Sequence, residues 1–485
     1  MPEDGPLPSR PPGTICVDLD GTLVRTDTLV EGLLELLRNP RSWTGPWRSP
    51  LRSRAALKRH VAAQAPLDLT LLPYERTLID YLRAQRGCGR RLVLATAADR
   101  EVADGVNAHL KLFDEVIASD GIRNLKGRAK AEALTKRFGA RNFTYVGNSW
   151  PDLQIWRNAG SAVLVNAPDR LNDKVSEVTS VECRIDDRPP RATSFLKALR
   201  PHQWLKNILV FLPILTANAL RDGHAWANAA VMFTAFCATA SAVYIINDLT
   251  DLSADRGHPR KRRRPFASGD LPLTIGPVVA PLLLAMGVAL GLAIGTAHIL
   301  ALYVACSLAY SIKAKELPLI DVFTLAFLYT LRVFGGAEAS HYKLSPWFLA
   351  FSVFLFLSLA TVKRVSELMD LKRREIRTTT RRGYQADDIA ILQAIGVGAS
   401  FMSVMVLALF IQSDSVAARY AHPDLLWVAV PLVLFWQCRL WLSTARGYMH
   451  DDPIVYAARD WVSWLSAATA LVFFILARGF YSRVG

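Results

Sequence analysis

Long apolar runs fill the second half of this chain and restrict what it can fold into. Each is about as long as a helix needs to be to cross a bilayer. The runs lie near residues 204–220, 229–248, 274–293, 296–312, 319–337, 346–363, 389–411, 424–443 and 460–478. Pro213 interrupts the first run, and only a very short connection separates the third from the fourth. The pattern predicts an all-α integral membrane domain of about nine transmembrane helices over residues 201–485.

Lysine and arginine are concentrated in alternate loops between these runs. Six lie in 249–273, two in 313–318 and eight in 363–388, whereas the loops near 221–228, 338–345 and 413–423 hold one each. The positive-inside rule therefore predicts a bacterial-type inner (plasma) membrane protein whose basic loops, N-terminal domain and active sites lie on the cytoplasmic side. With nine spans, the C-terminus would lie outside. The net charge of +15 reflects this topology. Because the basic stretches lack interleaved aromatic side chains, no nucleic-acid partner is expected.

The first 200 residues contain no run long enough to cross a bilayer. Residues 1–13 are rich in proline and charge, which predicts a disordered tail and not a secretory signal. The six cysteines form no C-x-x-C pair, which argues against a zinc site and a disulfide framework. Residues 184–200 are expected to form a Pro- and charge-rich linker that ends in an interfacial amphipathic helix. A folded soluble domain is therefore expected over 14–183.

The segment "TICVDLDGTLVRTD" predicts a short buried strand that runs directly into two carboxylates, Asp18 and Asp20. Side chains at i and i+2 point the same way from a strand end, so one carboxylate can attack phosphorus while the other moves a proton. The alternative is that the two aspartates are only exposed to solvent after the strand, which would predict no further motifs downstream.

Three further motifs do follow. "RLVLATAADR" predicts a second buried strand that ends at Thr96, whose hydroxyl can hold a phosphate oxygen. "NLKGRAKAEAL" places Lys126 at the start of a helix, where ammonium and helix dipole both attract an anion. "FTYVGNSWPDLQIW" predicts a third strand followed by Asn148 and Asp152, which offer oxygen ligands to Mg²⁺.

Together these motifs resemble the haloacid dehalogenase superfamily of phosphatases over most of residues 14–170. The resemblance implies an α/β Rossmann-like domain with a small helical cap over about 28–75. It implies that Asp18 is the nucleophile that forms an aspartyl phosphate, that Asp20 is the general acid and base, and that Thr96 and Lys126 hold the phosphate. The implied Mg²⁺ ligands are Asp18, Asp20, Asn148 and Asp152. Asn148 stands where the family usually has Asp, which weakens metal binding and leaves a non-catalytic scaffolding role open.

The stretch "IINDLTDLSADRGHPRKRRRP" follows the second apolar run. On a helix, Asn247, Asp251 and Asp255 are spaced i, i+4 and i+8, and Asp248 lies one position off the same face. Like charges in this arrangement repel unless cations lie between them, and Mg²⁺ ions bridging a diphosphate would satisfy them. Three basic residues would then bind the phosphates from the other side: His258, Lys261 and Arg264. Alternatively, these carboxylates only balance the charge of the basic loop in solvent-exposed ion pairs. Carboxylates at the end of a membrane-spanning helix are costly, however, which indicates a functional role.

A second polar cluster follows the fourth run. It contains Tyr310, Lys313, Lys315, Asp321 and Arg332. With the pattern N-D-x-x-D-x-x-x-D-x-x-H-P-x-K-x-x-R-P from 247 to 265, the apolar runs resemble the UbiA-type membrane prenyltransferase superfamily over roughly 195–480. Ordinary members carry a second acidic D-x-x-x-D motif in this region. This chain has only Asp321 of that motif, which the resemblance implies is a further metal ligand. It has lysines in the same region instead.

Three segments, "LRPHQWLKN", "YSIKAK" and "TVKRVSEL", resemble one branch of this superfamily. That branch moves phosphoribose from phosphoribosyl pyrophosphate to a polyprenyl phosphate. The resemblance implies catalytic roles for Asp248, Asp251 and Asp255, with the lipid phosphate as nucleophile. Cations that would suit two phosphorylated substrates are Lys206, Lys313, Lys315, Lys363 and Arg364.

The fusion of the two domains fits a two-step reaction. The transfer product carries a ribose 5-phosphate, and a tethered phosphatase would meet it at high effective concentration. A second hypothesis is transfer of a prenyl group from its diphosphate to an aromatic acceptor, with an N-terminal domain that is unrelated to that reaction or is non-catalytic. A homo-oligomer is compatible with the sequence, which leaves the oligomeric state open.

Overall fold

A computed structural model describes residues 13–38, 53–373, 383–449 and 452–478. The chain divides into two compact units. The first contains Met1–Leu199 and Ile245–Val279, and the second contains Arg200–Tyr244 and Ala280–Gly485. Most of the predicted tail, the centre of the predicted cap and four loop arginines lie outside the described residues. These arginines are Arg374, Arg377, Arg381 and Arg382.

The first unit is built on a six-stranded parallel sheet. Its strands are β1 Thr14–Val17, β2 Arg91–Asp99, β3 Glu115–Ser119, β4 Phe143–Gly147, β5 Ser161–Val165 and β6 Ser180–Ile185. The strand order is β3-β2-β1-β4-β5-β6, so β1 pairs with both β2 and β4. Because the strands are parallel, the residues that follow β1 and β4 lie at the same edge of the sheet. Strand β2 extends past Thr96 to Asp99 and is irregular in between, so Thr96 lies within the strand and not at its end.

Helices cover both faces of this sheet. Their bounds are α1 Thr28–Arg38, α2 Arg54–Gln64, α3 Arg76–Gly87, α4 Arg100–Leu110, α5 Arg128–Phe138, α6 Leu153–Trp156, α7 Asp169–Ser176 and α8 Arg191–Leu199. One apolar cluster includes Leu78 of α3 and Val106 of α4. The other includes Leu134 of α5 and Leu171 of α7. The predicted α/β architecture of the N-terminal part is confirmed.

Apolar helices make up most of the remaining chain. Their bounds are α9 Leu212–Thr216, α10 Gly223–Thr250, α11 Leu252–Gly257, α12 Pro265–Ser268, α13 Gly276–Ala293, α14 Ala297–Ile312, α15 Ile320–Ser340, α16 Pro346–Arg373, α17 Ile389–Ile411, α18 Asp414–Ala417, α19 Ala429–Ala445, α20 Pro453–Arg459 and α21 Trp461–Arg478. Within the described ranges, seven helical segments are long and apolar enough to cross a membrane. They correspond to α10, α13, α15, α16, α17, α19 and α21, with α13 and α19 extended by short 3-10 segments. The all-helical membrane domain is confirmed, but the count of nine is not.

Two of the nine predicted spans account for the difference. The first run forms a 3-10 helix over Pro201–Phe211 and then the short helix α9. Proline has no N–H to donate, so Pro213 is tolerated only in the first turn of α9. The fourth run forms α14, whose 16 residues span about 24 Å at 1.5 Å per residue, short of the ~30 Å of a bilayer core.

A close backbone contact holds the 3-10 segment against α15. A Cβ atom placed on Gly336 would lie 1.9 Å from the carbonyl oxygen of Val210, so only glycine fits at this position. Gly336 is one turn along α15 from Arg332, and Val210 is one turn along the 3-10 segment from Asn207. The contact therefore brings polar residues of the two segments together.

Candidate active sites

Asp18 lies buried directly after β1, in contact with a lysine. Its Oδ1 is 2.7 Å from Nζ of Lys130 on α5, and the same ammonium donates to the Tyr145 hydroxyl at 3.0 Å. Burial raises the pKa of Asp18, while the charge of Lys130 opposes this shift. Lys126, the predicted phosphate holder, is exposed and precedes α5. The lysine in contact with the carboxylate is thus one that sequence reasoning missed, because the start of α5 could not be fixed from the sequence.

Asp20 lies two residues further on and is half-buried. Its Oδ1 accepts hydrogen bonds from the backbone N and the hydroxyl of Thr28, both at 2.9 Å. Burial, followed by the charges of Asp27 and Asp18, raises the pKa of Asp20 to about 7, although the Thr28 hydrogen bonds oppose the shift. A carboxyl group that titrates near neutrality is suited to general acid and base chemistry.

Asp152 and Asn148 lie after β4, at the edge of the sheet where Asp18 lies. Oδ1 of Asp152 accepts from the Tyr145 hydroxyl at 3.1 Å, and Oδ2 accepts from the Ser149 hydroxyl at 2.8 Å. The Asn148 amide donates to the carbonyl oxygen of Gly21 at 3.0 Å. Both oxygens of Asp152 therefore hold the turn after β4. Among the residues that the structure describes, no three His, Cys, Asp or Glu side chains are grouped to hold a metal ion.

Thr96 and Lys58 complete this region. The Thr96 hydroxyl is buried and accepts from the Ala98 backbone N at 2.9 Å. Lys58 of α2 donates through Nζ to the Ala97 carbonyl oxygen at 2.6 Å. Burial lowers the pKa of Lys58, and the charge of Asp20 opposes that shift. Sequence reasoning did not select Lys58, because a lone lysine in a helix carries no distinguishing signal.

The acidic motif at the end of α10 belongs to the first unit as well. Asp251 is not in helical conformation, yet its backbone N bonds to the Asn247 oxygen at 2.9 Å, and the Asp255 N bonds to the Asp251 oxygen at 2.8 Å. The predicted four-residue spacing is therefore kept across a break between α10 and α11. Asn247 and Asp251 are half-buried.

Asp248 and Asp255 converge on one guanidinium. Nη1 of Arg264 lies 3.1 Å from Oδ1 of Asp248 and 2.6 Å from Oδ2 of Asp255. Both carboxylates are buried, each 2% exposed. Asp248 was predicted one position off the motif's face, but it shares a cation with Asp255. His258 and Lys261 occupy the following turn, where Nδ1 of His258 accepts from the Lys261 backbone N at 3.3 Å.

In the second unit, a buried carboxylate gathers two predicted cations. Oδ2 of Asp452 lies 2.6 Å from Nζ of Lys206 and 3.7 Å from Nζ of Lys363. The Tyr329 hydroxyl donates to the same carboxylate at 3.1 Å. Sequence reasoning missed Asp452, although an acidic pair followed by proline after an apolar run was a usable signal.

Arg332 lies beside this group, buried in α15. It donates through Nε to Oδ1 of Asn207 at 2.8 Å and through Nη2 to the Tyr303 hydroxyl at 3.1 Å. Its guanidinium also lies over the Tyr303 ring, 4.9 Å from the centroid. Within the part of the chain that the structure describes, the hydrogen bonds and ring contacts of Arg332 are all with neutral groups.

Asp321 forms a third polar group with Arg364. The two are joined in a fully buried ion pair, and the Tyr384 hydroxyl donates to Oδ1 of Asp321 at 2.6 Å. Tyr310 accepts a longer hydrogen bond from Arg364, at 3.4 Å. A carboxylate buried among apolar helices requires a partner charge, which accounts for the pairing of a predicted metal ligand with a predicted phosphate-binding residue.

Two predicted phosphate-binding lysines lie outside these groups. Lys313 is exposed and pairs with Glu316 at 2.8 Å, whereas Lys315 is half-buried. Lys313 caps the C-terminal end of α14, and Lys315 lies on the 3-10 segment Ala314–Glu316 that follows.

Comparison with known proteins gives the chain relatives over both parts. The UbiA prenyltransferase family profile matches residues 210–452. The uncharacterized protein y4nM of Sinorhizobium fredii is 36% identical over 96% of this chain and 90% of its own length. Nodulation protein NoeC of Azorhizobium caulinodans is 37% identical over 59% of this chain and 94% of its own. A decaprenyl-phosphate phosphoribosyltransferase of Corynebacterium glutamicum is 35% identical over 41% of this chain and 64% of its own.

Solved structures are similar to each part separately. A UbiA homolog from Archaeoglobus fulgidus bound to GPP and Mg²⁺ covers 58% of this chain and 99% of its own, at 16% identity and a TM-score of 0.46. A HAD family hydrolase from Salmonella enterica covers 36% of this chain and 68% of its own, at 13% identity and a TM-score of 0.28.

Proposed function

Because the chain belongs to the UbiA prenyltransferase family, we propose that its membrane domain transfers 5-phosphoribose from phosphoribosyl pyrophosphate to a polyprenyl phosphate. The relatives named as decaprenyl-phosphate phosphoribosyltransferases support transfer of a phosphoribosyl group to a polyprenyl phosphate. The single observation that carries the proposal is a cluster in the described part of the second unit, in which Lys206 and Lys363 share the carboxylate of Asp452 and Arg332 lies beside them.

In this cluster three cations surround one carboxylate. Asp452 is shared by Lys206 and Lys363, and the contacts of Arg332 are with neutral groups. Cations among membrane helices are costly unless an anion offsets them. Substrates that both carry phosphate would supply that negative charge, whereas a neutral aromatic acceptor would not.

The reaction is a substitution at C1 of the ribose. A phosphate oxygen of the lipid attacks C1, a new C1–O bond forms, and the bond to pyrophosphate breaks. Lys206, Lys363 and Arg332 would bind the phosphate groups and orient the lipid oxygen. The product is a polyprenyl-phosphate phosphoribose, and pyrophosphate leaves.

The acidic motif fits a divalent cation, because Asp248 and Asp255 already converge on one positive group, the Arg264 guanidinium. We assign Asn247, Asp248, Asp251 and Asp255 to holding Mg²⁺, which when bound would neutralise the departing diphosphate. Arg264 would then be released to the phosphates. The pairing of Asp321 with Arg364 makes that carboxylate an orienting group for the arginine.

For the N-terminal domain we propose removal of the 5-phosphate from this product. Asp18 would attack phosphorus, Lys130 and Lys58 would stabilise the negative charge, and Asp20 would donate a proton to the leaving oxygen and then activate water. For Mg²⁺, the donors that fit are Asp18 and the amide oxygen of Asn148, because Asp152 is engaged in the turn after β4. The same engagement favours a second candidate, a domain that binds the product without cleaving it.

The test is incubation of membranes containing the full-length protein with labelled phosphoribosyl pyrophosphate and polyprenyl phosphate, followed by lipid chromatography. A parallel reaction receives prenyl diphosphate and an aromatic acceptor. The proposal expects label in the lipid only in the first reaction. Product only in the second would establish prenyl transfer instead.

A further inference from the structure

We propose that the N-terminal domain positions the acidic motif of the transferase, and that Glu31 of α1 is the positioning residue. This inference rests on the proposed transferase function and adds to it a role for the soluble domain that does not depend on phosphatase chemistry.

The contact is a two-pronged ion pair between distant parts of the chain. Nη2 of Arg256 lies 2.6 Å from Oε1 of Glu31, and Nη1 lies 2.8 Å from Oε2. The two side chains are only 6% and 4% exposed. Arg256 directly follows Asp255 of the acidic motif. Two parallel bonds fix the orientation of the guanidinium as well as its position.

Arg256 also ties together the segment that carries the motif. Its Nε donates to the Ala267 carbonyl oxygen at 3.0 Å, which joins α11 to α12. Arg264 lies between these helices in sequence and reaches back to Asp248 and Asp255. A change in the placement of Arg256 would therefore move both Asp255 and the cation that Asp255 shares.

A second contact holds the far end of the same segment. Arg25 pairs with Glu75 at 2.9 Å and with Asp270 at 3.2 Å. The adjacent Gly269 has a φ of +76°, and a Cβ atom there would lie 2.5 Å from Cβ of Arg25. Only glycine combines this backbone conformation with so close an approach. Segment 256–270 is thus held against the N-terminal domain at both ends.

Stability alone is a weak reason for such a pair. Replacing a buried ion pair by apolar residues is often neutral or stabilising, because desolvation offsets the attraction. Orientation is what a bidentate pair adds, and the group that it orients here is the neighbour of Asp255. The geometry therefore points to positioning of the motif.

The decisive comparison uses the full-length protein with Glu31→Gln and, as a matched control, Glu35→Gln. Glu35 is on the same helix but is 40% exposed, and it pairs only at 3.6 Å with Arg38 in the described contacts. We expect Glu31→Gln to lower kcat/KM for phosphoribosyl pyrophosphate by about 10- to 100-fold, the effect of a small misplacement of catalytic groups. Glu35→Gln should stay within about twofold of wild type, as is usual for a surface substitution. Wild-type kcat/KM in Glu31→Gln would overturn the proposal.

Hydrogen exchange without substrate separates positioning from general loss of stability. Glu31→Gln should speed exchange of amides in 248–270 and leave those of β1 and β4 unchanged. Equal acceleration in both places would show that the pair only stabilises the unit, and would overturn the proposal. If wild type transfers no phosphoribose, the proposed function fails, but this exchange experiment still tests whether Glu31 orders the motif.

Discussion

The two acidic sites of the first unit both pair carboxylates with a cation, but the cation comes from different distances in the chain. Lys130 reaches Asp18 from 112 residues away, on a helix packed against the sheet. Arg264 reaches Asp255 from nine residues away and Asp248 from 16. The fold of the sheet therefore brings the cation to Asp18. The acidic motif has a local cation, Arg264, which under the proposed function a metal-bearing diphosphate would displace.

Replacement of Asp18, the proposed nucleophile, should have the largest effect on the difference between the two acidic sites. Asp18→Asn should reduce phosphate release by roughly 10⁴-fold or more, as loss of a nucleophile does, while leaving transfer intact. Lipid-linked phosphoribose should then accumulate where wild type gives lipid-linked ribose. Lipid chromatography with phosphate analysis measures this. Identical phosphorylated lipid from both proteins would mean that the domain does not act on this product.

Loss of one carboxylate from the motif should have the next largest effect. Asp255→Asn is expected to reduce lipid labelling by roughly 100-fold or more, because a carboxylate proposed to hold the Mg²⁺ that would neutralise the leaving diphosphate is lost. Asp80→Asn, on the exposed face of α3 with its side chain 74% exposed, is the control. Equal expression and near-normal labelling of Asp255→Asn would rule out the metal-site assignment.

Two lysine substitutions test the contact between Lys130 and Asp18. Lys130→Met should lower the free energy of unfolding of the first unit by about 3 kcal/mol, because it leaves a buried carboxylate without its partner. Lys126→Met should change it by less than about 0.5 kcal/mol, as exposed side chains usually do. Denaturant unfolding of both variants measures the difference. Equal values would contradict the contact between Lys130 and Asp18.

The smallest effect concerns Asn148. Asn148→Asp adds a formal charge near the proposed cation, which should lower the Mg²⁺ concentration for half-maximal phosphate release by roughly tenfold. Loss of the hydrogen bond to Gly21 works against the gain. Mg²⁺ titration of phosphate release provides the measurement, with transfer of phosphoribose unchanged as control. An unshifted titration would place Asn148 outside the coordination shell.

Much of the N-terminal site could be predicted because residues that follow parallel strands lie at the same edge of the sheet. A short apolar run followed by Asp18 and Asp20, and another followed by Asn148, put these groups at one edge of a parallel sheet. Lys130 could not be chosen over Lys126, because which turn of α5 faces Asp18 depends on where the helix begins, and helix starts are the least certain part of a sequence pattern.

In the membrane domain, the number of spanning helices and the ion pairs between residues of different helices were harder to predict. The 3-10 segment Pro201–Phe211 was counted partly within a predicted span because apolar residues predominate after Trp204, although Lys206 and Asn207 lie among them. The pairing of Asp321 with Arg364, and of Asp452 with Lys206, depends on which helices pack together. Spacing along one helix carries no information about contacts between residues 246 positions apart.

The proposed two-step reaction is tested with phosphoribosyl pyrophosphate labelled separately in the ribose and in the 5-phosphate. Full-length protein in membranes is incubated with polyprenyl phosphate, and the lipids are followed over time. The account predicts that both labels enter the lipid together early and that the 5-phosphate label is then lost as inorganic phosphate while the ribose label remains. Absence of both labels from the lipid, with pyrophosphate still attached to the sugar, would contradict it.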